Sequence, residues 1–212
     1  MDSQRKISLA VIRRLPGYYR YLRRLESQGV MRISSKELGQ QMGLTASQIR
    51  QDMNCFGGFG QQGYGYNVHE LRLRISEILG LNRIYHMAIV GAGKIGQAVL
   101  SYDGFRGMNF ITTAMFDTDK DLIGRTVRGI TIYDAADMHK VLSAEPVDIG
   151  VVAVPEASAQ HVCDMLVACG VRAIWNFAPI DITAPAGVAI NNVHMSDSLM
   201  VLTYSMQHGM PE

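Results

Sequence analysis

The chain has 212 residues, 48% of them hydrophobic, which is enough apolar material for one large or two small packed domains and too much for a disordered chain. No apolar run approaches the ~18 residues of a membrane span, and the polar start at residues 1–6 lacks the apolar core of a secretory signal, so a cytoplasmic protein is expected. The net charge of +1 hides an asymmetry: residues 1–85 hold 13 Lys and Arg against 6 Asp and Glu, whereas residues 86–212 hold 7 against 13. A basic front half suits a phosphate polymer, and an acidic back half implies a different partner.

Along the front half, Ile7 and Val11 predict a short helix over residues 5–14, which Pro16 and Gly17 punctuate. Tyr18, Leu22 and Leu25 fall on one face of a second helix that Gly29 stops. Ser34-Ser35-Lys36-Glu37 is a capping box that opens a helix through Met42. After the tight connection at Gly43-Leu44, Thr45-Ala46-Ser47-Gln48 is a second capping box, opening a helix through about Cys55. Two short helices around a Gly-containing turn predict a helix-turn-helix. Its second helix offers Ser47, Gln48, Arg50 and Gln51, residue types that contact base edges and phosphates. Arg13, Arg14, Arg20, Arg23 and Arg24 make the preceding helix basic.

Residues 56–66 hold five glycines interleaved with aromatics, which predicts a β-hairpin wing carrying Gln61, Gln62 and Tyr64. Leu71, Ile75, Ile78 and Leu79 then mark a linker helix closed by Gly80.

The back half alternates. Strands are predicted near residues 86–90, 110–116, 130–133, 148–154, 172–177 and 188–193. Helices are predicted near 94–103, 134–143 and 156–169. This rhythm implies a parallel sheet with helices on both faces. The first strand leads into Gly91, Ala92, Gly93, Lys94, Ile95 and Gly96, and the second ends in Asp117. That is the fingerprint of a dinucleotide site. Gly91 permits the tight turn, Gly93 lets a pyrophosphate approach the backbone, and Gly96 lets the helix pack close to the strand. The helix N-terminus attracts the phosphates. Asp117 accepts the ribose hydroxyls of an adenosine and disfavours a 2′-phosphate. Val154-Pro155 and Asn176-Phe177-Ala178-Pro179 end later strands, where Val154, Pro155, Phe177 and Pro179 are expected to wall a nicotinamide ring.

The local context of the histidines suggests no Ser-His-Asp or Glu-His pairing, which favours a sensor over an enzyme. Cys55, Cys163 and Cys169 have no metal spacing, so no metal site is expected and a reducing compartment is. Residues 196–208, with Leu199, Met200, Leu202 and Met206, form an apolar terminal helix that covers its own sheet or packs into a partner subunit.

These motifs, in this order over nearly the whole length, resemble the Rex family of redox-sensing transcriptional repressors. The resemblance rests on Ser34 to Gly39, Gln48-Ile49-Arg50, Phe56-Gly57, Gly65-Tyr66-Asn67-Val68, Ile78-Leu79-Gly80-Leu81, Val90-Gly91-Ala92-Gly93, Phe116-Asp117, Val154-Pro155 and Asn176-Phe177-Ala178-Pro179. It implies an α/β protein with an N-terminal winged-helix (helix-turn-helix) domain over residues 1–80 and a Rossmann-type parallel-sheet, NAD(H)-binding domain over 81–195. A C-terminal dimerisation helix over 196–212, exchanged between subunits of a homodimer, completes it. The implied function is repression through double-stranded operator DNA that is released when NADH accumulates, with NAD⁺ competing for the same pocket. A polar switch is implied at Arg20, Tyr102 and His194. Two departures stand out: Gln51, Gln61 and Gln62 replace residues usually basic in the family, and His194 replaces an Asp. The competing readings are an NAD-dependent oxidoreductase, a CoA-binding enzyme subunit, or a paralogue with altered DNA binding.

Overall fold

The structure, a computed structural model, describes residues 7–57, 64–105 and 107–209. The chain divides into two compact units, residues 1–83 and 84–212. No helix of the described residues is long and apolar enough to cross a membrane.

In the second unit, strands β3 (Tyr85–Val90), β4 (Phe110–Asp117), β6 (Ile130–Asp134), β7 (Ile149–Val152), β8 (Ala173–Asn176) and β9 (Ala189–Asn192) run parallel, and β5 (Thr126–Val127) pairs antiparallel at one edge. The order across the sheet is β5-β6-β4-β3-β7-β8-β9. Counting the parallel strands in chain order, this is 3-2-1-4-5-6, the doubly wound arrangement whose strand order reverses beside the first strand. The strands are apolar on both faces because both are covered. Ala88, Val90 and Phe116 face a core filled by Met138 and Leu142 of α6 (Met138–Ala144) and by Val162, Cys163 and Leu166 of α7 (Glu156–Ala168). Ile89, Met115 and Val151 face the opposite core beside Val99 of α5 (Lys94–Ser101). Alternate residues of one strand thus feed opposite layers.

The terminal helix α8 (Met195–His208) buries none of its side chains. Leu199, Met200, Val201, Leu202, Tyr204 and Met206 are each more than half exposed. Of the two arrangements expected for it, covering its own sheet is therefore not the one seen.

In the first unit, α1 (Leu9–Ser27) is one continuous helix with Pro16 inside it, not the two helices predicted around a break. A proline in a helix interior removes a hydrogen bond and costs about 3 kcal/mol. Val11, Leu15, Tyr18, Tyr19, Leu22 and Leu25 are all buried along the helix. At roughly 1.5–3 kcal/mol per buried large side chain, that stripe outweighs the proline. Gly17 does not break the helix either; a Cβ there would lie 2.7 Å from Met42 Cε, so its bareness leaves room for that side chain. Gly29, at φ +74°, ends α1 with Val30 N–H donating to Leu25 O at 3.0 Å.

Both capping boxes form. Ser34 and Glu37 exchange bonds at the start of α2 (Ser35–Met42), and Thr45 and Gln48 do so at the start of α3 (Ala46–Asn54). A two-stranded sheet pairs β1 (Arg32–Ile33) with β2 (Tyr66–Asn67). The tip of the predicted wing, with Gln61 and Gln62, lies outside the described residues. Helix α4 (Val68–Ile78) lies against α1 within the first unit rather than standing apart as a linker. The unit runs on past α4 because Gly80 and Leu81 N–H groups bond back to Glu77 O and Ser76 O.

A buried polar cluster holds α3 to α1. Asp52, 2% exposed, receives Arg14 Nε and Nη2 at 2.7 Å each and Tyr18 Oη–H at 2.6 Å. The carboxylate bond pushes the Arg14 guanidinium's pKa up, and burial pushes that of the Tyr18 phenol up, so Arg14 stays charged and Tyr18 stays a neutral phenol at neutral pH. Arg14, one of the arginines that make this helix basic, is therefore committed to Asp52. Asp52→Ala would strand the buried Tyr18 hydroxyl and free Arg14. The expected loss is about 3 kcal/mol, measured by urea unfolding; an unchanged midpoint would contradict the role.

Candidate functional site

The residues expected at a nucleotide site come to one edge of the sheet, the carboxyl ends of β3, β4, β7 and β8. Gly91 follows β3 at φ +101°, and a Cβ there would lie 2.3 Å from Ala153 O. A Cβ on Gly96 would lie 1.9 Å from Gly91 O. Only bare backbone fits at either position, so α5 packs directly on the turn. Gly93 differs. Its φ is −72°, and a Cβ there meets nothing within 4 Å, so the missing side chain leaves open space rather than relieving a clash. Gly93 caps α5 without a side-chain bond, Lys94 and Ile95 are exposed, and Ala92 is buried. The first-turn N–H groups of α5 thus border an opening without a side-chain acceptor.

Asp117 braces this turn. Its Oδ2 accepts from Ala92 N–H at 2.6 Å, and its Oδ1 accepts from Thr118 N–H at 2.7 Å and Asp119 N–H at 2.9 Å. Oδ1 already accepts two bonds, whereas Oδ2 accepts one and keeps a lone pair for a hydroxyl. Asp134 stands beside Asp117 in register on β6, which makes this corner acidic. On the other side of the turn, Gln97 Nε2 donates to Ala92 O at 2.7 Å.

Val154 and Pro155 follow β7, with Pro155 capping α7. Phe177 and Pro179 follow β8; Phe177 packs on Trp175 with ring centroids 4.6 Å apart, and Pro179 is exposed. Asn176 fixes this loop. Fully buried, it donates to Ile180 O at 2.7 Å and Asn192 Oδ1 at 2.9 Å and accepts from Ala178 N–H at 2.9 Å. Sequence reasoning quoted Asn176 only as part of a motif; a lone polar residue at the end of an apolar strand was the available signal.

The second candidate region is the face of α3. Ser47, Gln48, Arg50 and Gln51 are all exposed. Arg50 Nη1 donates to Ser35 Oγ at 3.2 Å, and the Gln48 amide is engaged in its own helix cap. Tyr64 is exposed at the edge of the small sheet, its ring 5.9 Å from the Arg32 guanidinium. Arg13, Arg20, Arg23 and Arg24 are exposed on α1.

The switch residues have separate partners. Arg20 belongs to the first unit. In the second, Tyr102 packs edge-on against Phe105 at 4.8 Å, and His194 Nε2 pairs with Asp181 Oδ1 at 2.9 Å. The Asp181 pairing was not foreseen; the two residues lie thirteen positions apart, on either side of β9. The three cysteines are free, and burial pushes the Cys163 and Cys169 thiol pKa values up. Among the described residues no group of three or more His, Cys, Asp and Glu side chains is placed to hold a metal. Beside these regions, Met87, Phe105, Phe110, Ile174, Trp175 and Ile190 line an apolar groove of about 350 Å³ on the second unit.

A family model described as "Putative DNA-binding protein N-terminus" matches residues 6–54, and one described as "CoA binding domain" matches residues 82–180. The chain is 55% identical to the redox-sensing transcriptional repressor Rex of Clostridium beijerinckii over 204 residues, 96% of this chain and 97% of that one. It is 54% identical to the protein of that name from Clostridium botulinum over 203 residues, again 96% and 97%. Among solved structures, RSP in complex with β-NAD⁺ and operator DNA superimposes with a TM-score of 0.90 at 47% identity, covering 95% of this chain and 93% of that one. RSP in complex with β-NADH gives 0.88 at 44% identity, covering 95% of each. Full-length identity of this order, on a helix-turn-helix unit followed by a doubly wound unit, leaves one conclusion: the chain belongs to the Rex family of redox-sensing transcriptional repressors.

Proposed function

We propose that this chain represses transcription as a cytoplasmic homodimer that binds double-stranded operator DNA through α3 and the adjoining wing and releases it when NADH binds the second unit. The observation that carries this is the open, unstrained Gly93 in a turn otherwise closed by Gly91, Gly96 and Asp117. Backbone N–H groups there border open space from which a pyrophosphate can approach the turn. In this reading Gly91, Ala92, Gly93, Lys94, Ile95 and Gly96 hold the pyrophosphate. Asp117 holds the adenosine ribose, and Val154, Pro155, Phe177 and Pro179 border the nicotinamide of NADH or NAD⁺. The relative RSP supports it, with structures bound to β-NADH and to β-NAD⁺ with operator DNA.

Ser47, Gln48, Arg50 and Gln51 of α3 face the DNA, joined by Gln61, Gln62 and Tyr64 from the wing. Phosphate attraction comes from the exposed arginines of a front half with net charge +7. Arg20, Tyr102 and His194 form the polar switch, with Asp181 supplying the carboxylate beside His194. Control is a population shift: NADH must bind one interdomain arrangement better than the other, and that difference alone sets DNA affinity. The apolar face of α8 covers the groove lined by Phe105, Trp175 and Ile190 on the second subunit. That exchange hides surface a monomer would leave in water.

The direct test is DNA selected from a random pool in the presence of NAD⁺, then titrated with protein in NAD⁺ and in NADH. Binding retained in NAD⁺ and lost in NADH is expected; equal affinity in both would refute redox control. At the turn, Gly93→Val fills open space without meeting protein, so the variant is expected to fold with unchanged melting while calorimetry shows NADH binding abolished. An acidic corner at Asp117 repels a 2′-phosphate. At an effective dielectric near 20, like charges ~5 Å apart cost about 3 kcal/mol, so NADH is expected to bind at least ~30-fold more tightly than NADPH. Comparable affinities would remove Asp117 from the ribose. Truncation before Met195 is expected to give monomers or aggregates in sedimentation, and a well-behaved truncated dimer would exclude α8 as the dimer element.

A further inference from the structure

We propose that Gln48 contacts operator DNA as a hydrogen-bond donor only, and so selects a guanine rather than making the two-way amide contact with adenine. The inference rests on α3 being the helix that enters the groove.

Gln48 is the third residue of α3, and its side chain is already committed. Thr45 N–H donates to Gln48 Oε1 at 2.9 Å, and Thr45 Oγ1–H donates to the same oxygen at 3.1 Å. In return Gln48 N–H donates to Thr45 Oγ1 at 3.2 Å. A backbone N–H is a donor alone, so the atom facing it must be the amide oxygen, and the orientation of the amide follows from chemistry. A carbonyl oxygen has two lone pairs, and both are in use. What remains is the Nε2 group, whose two hydrogens have no partner among the described residues. Gln48 itself is exposed.

The usual glutamine contact with adenine needs both ends of the amide: oxygen accepts from N6–H while nitrogen donates to N7. Gln48 has lost the first half of that pair to its own helix. Offering Oε1 to a base would undo the reciprocal cap at the moment of binding. Guanine is different. It presents two acceptors in the major groove, O6 and N7, and no donor beside them. A free NH₂ on a tethered amide matches that edge. Gln51, one turn further along the same helix, is the contrast. Its side-chain amide has no partner among the described residues, so it keeps both an acceptor and a donor. The two glutamines are therefore not equivalent, although a recognition code based on residue type alone would treat them alike.

The test is a set of double-mutant cycles on the operator selected with NAD⁺. Each purine is replaced in turn: guanine by 7-deazaguanine or 2-aminopurine, which lack N7 and O6, and adenine by purine, which lacks the N6 amino group. Wild-type protein is compared with Gln48→Glu, which keeps the capping oxygen but has no donor. Glu37 makes the same box in α2, so the cap and the fold survive. Gln48→Met, uncharged and without donor or acceptor, is run in parallel in case the carboxylate repels the DNA outright. At one guanine per half-site, loss of the acceptor is expected to weaken the wild type ~10-fold and the variants less than about twofold. Coupling of residue 48 to an adenine N6 group, or to no guanine, would overturn the inference while leaving operator binding intact. Wild-type protein that binds no selected DNA would instead overturn the assignment of α3 to DNA, and this inference with it.

Discussion

A single hydrogen bond, Ala92 N–H to the Asp117 carboxylate at 2.6 Å, ties the glycine turn of β3 to the end of β4. It is charge-assisted and short. With it in place, Gly91 lies against Ala153 O, and Gly96 in the first turn of α5 lies against Gly91 O. The helix therefore starts at a fixed point over the place where strand order reverses. Without it the turn would keep its glycines but lose the acceptor that orients its first N–H. The same carboxylate orders the 117–119 turn through Thr118 and Asp119. Asp117 is thus a structural brace first, and the ribose contact proposed for it would be built on a group already immobilised.

The first unit solves an equivalent problem with the same chemistry. Helix α3 is only nine residues long and carries few apolar side chains, too short to be stable by itself. Ile49 and Met53 give it an apolar anchor, and Asp52 adds a directional one through Arg14 and Tyr18. A hydrophobic contact alone would let the helix roll. A bidentate arginine with a phenol fixes rotation as well, which matters if, as proposed, the exposed side chains of α3 meet base edges in register.

Much of this architecture is legible in the residues. The capping boxes at Ser34 and Thr45, the glycine spacing at 91–96 and the β-α rhythm each depend on short-range chemistry that a linear chain displays directly. Other parts are not legible, for an identifiable reason. Pro16 reads as a break because local propensity is what a sequence shows, while the six buried side chains that override it acquire their weight from α4 and α3. Arg14 looks like its neighbours Arg13 and Arg20 until Asp52, 38 residues away, arrives beside it. Asn176 and the His194–Asp181 pair are likewise products of tertiary proximity. Strands β1 and β5 are two residues each, below the length at which alternation can be detected. Gln48 is the reverse case: its cap was readable, but the consequence for what its amide has left to offer needed the geometry of the oxygen.

The uncovered face of α8 has a thermodynamic consequence beyond assembly. A helix with seven large apolar side chains in water is a poor end state for a folded monomer. If most of its burial comes from a second subunit, the folding equilibrium contains a concentration, and each tenfold dilution removes about 1.4 kcal/mol from the stability of a dimer relative to unfolded chains. Thermal midpoints then belong to a protein at a stated concentration. A scarce regulator is the least stable form of itself, and its abundance in the cell becomes part of its folding energetics.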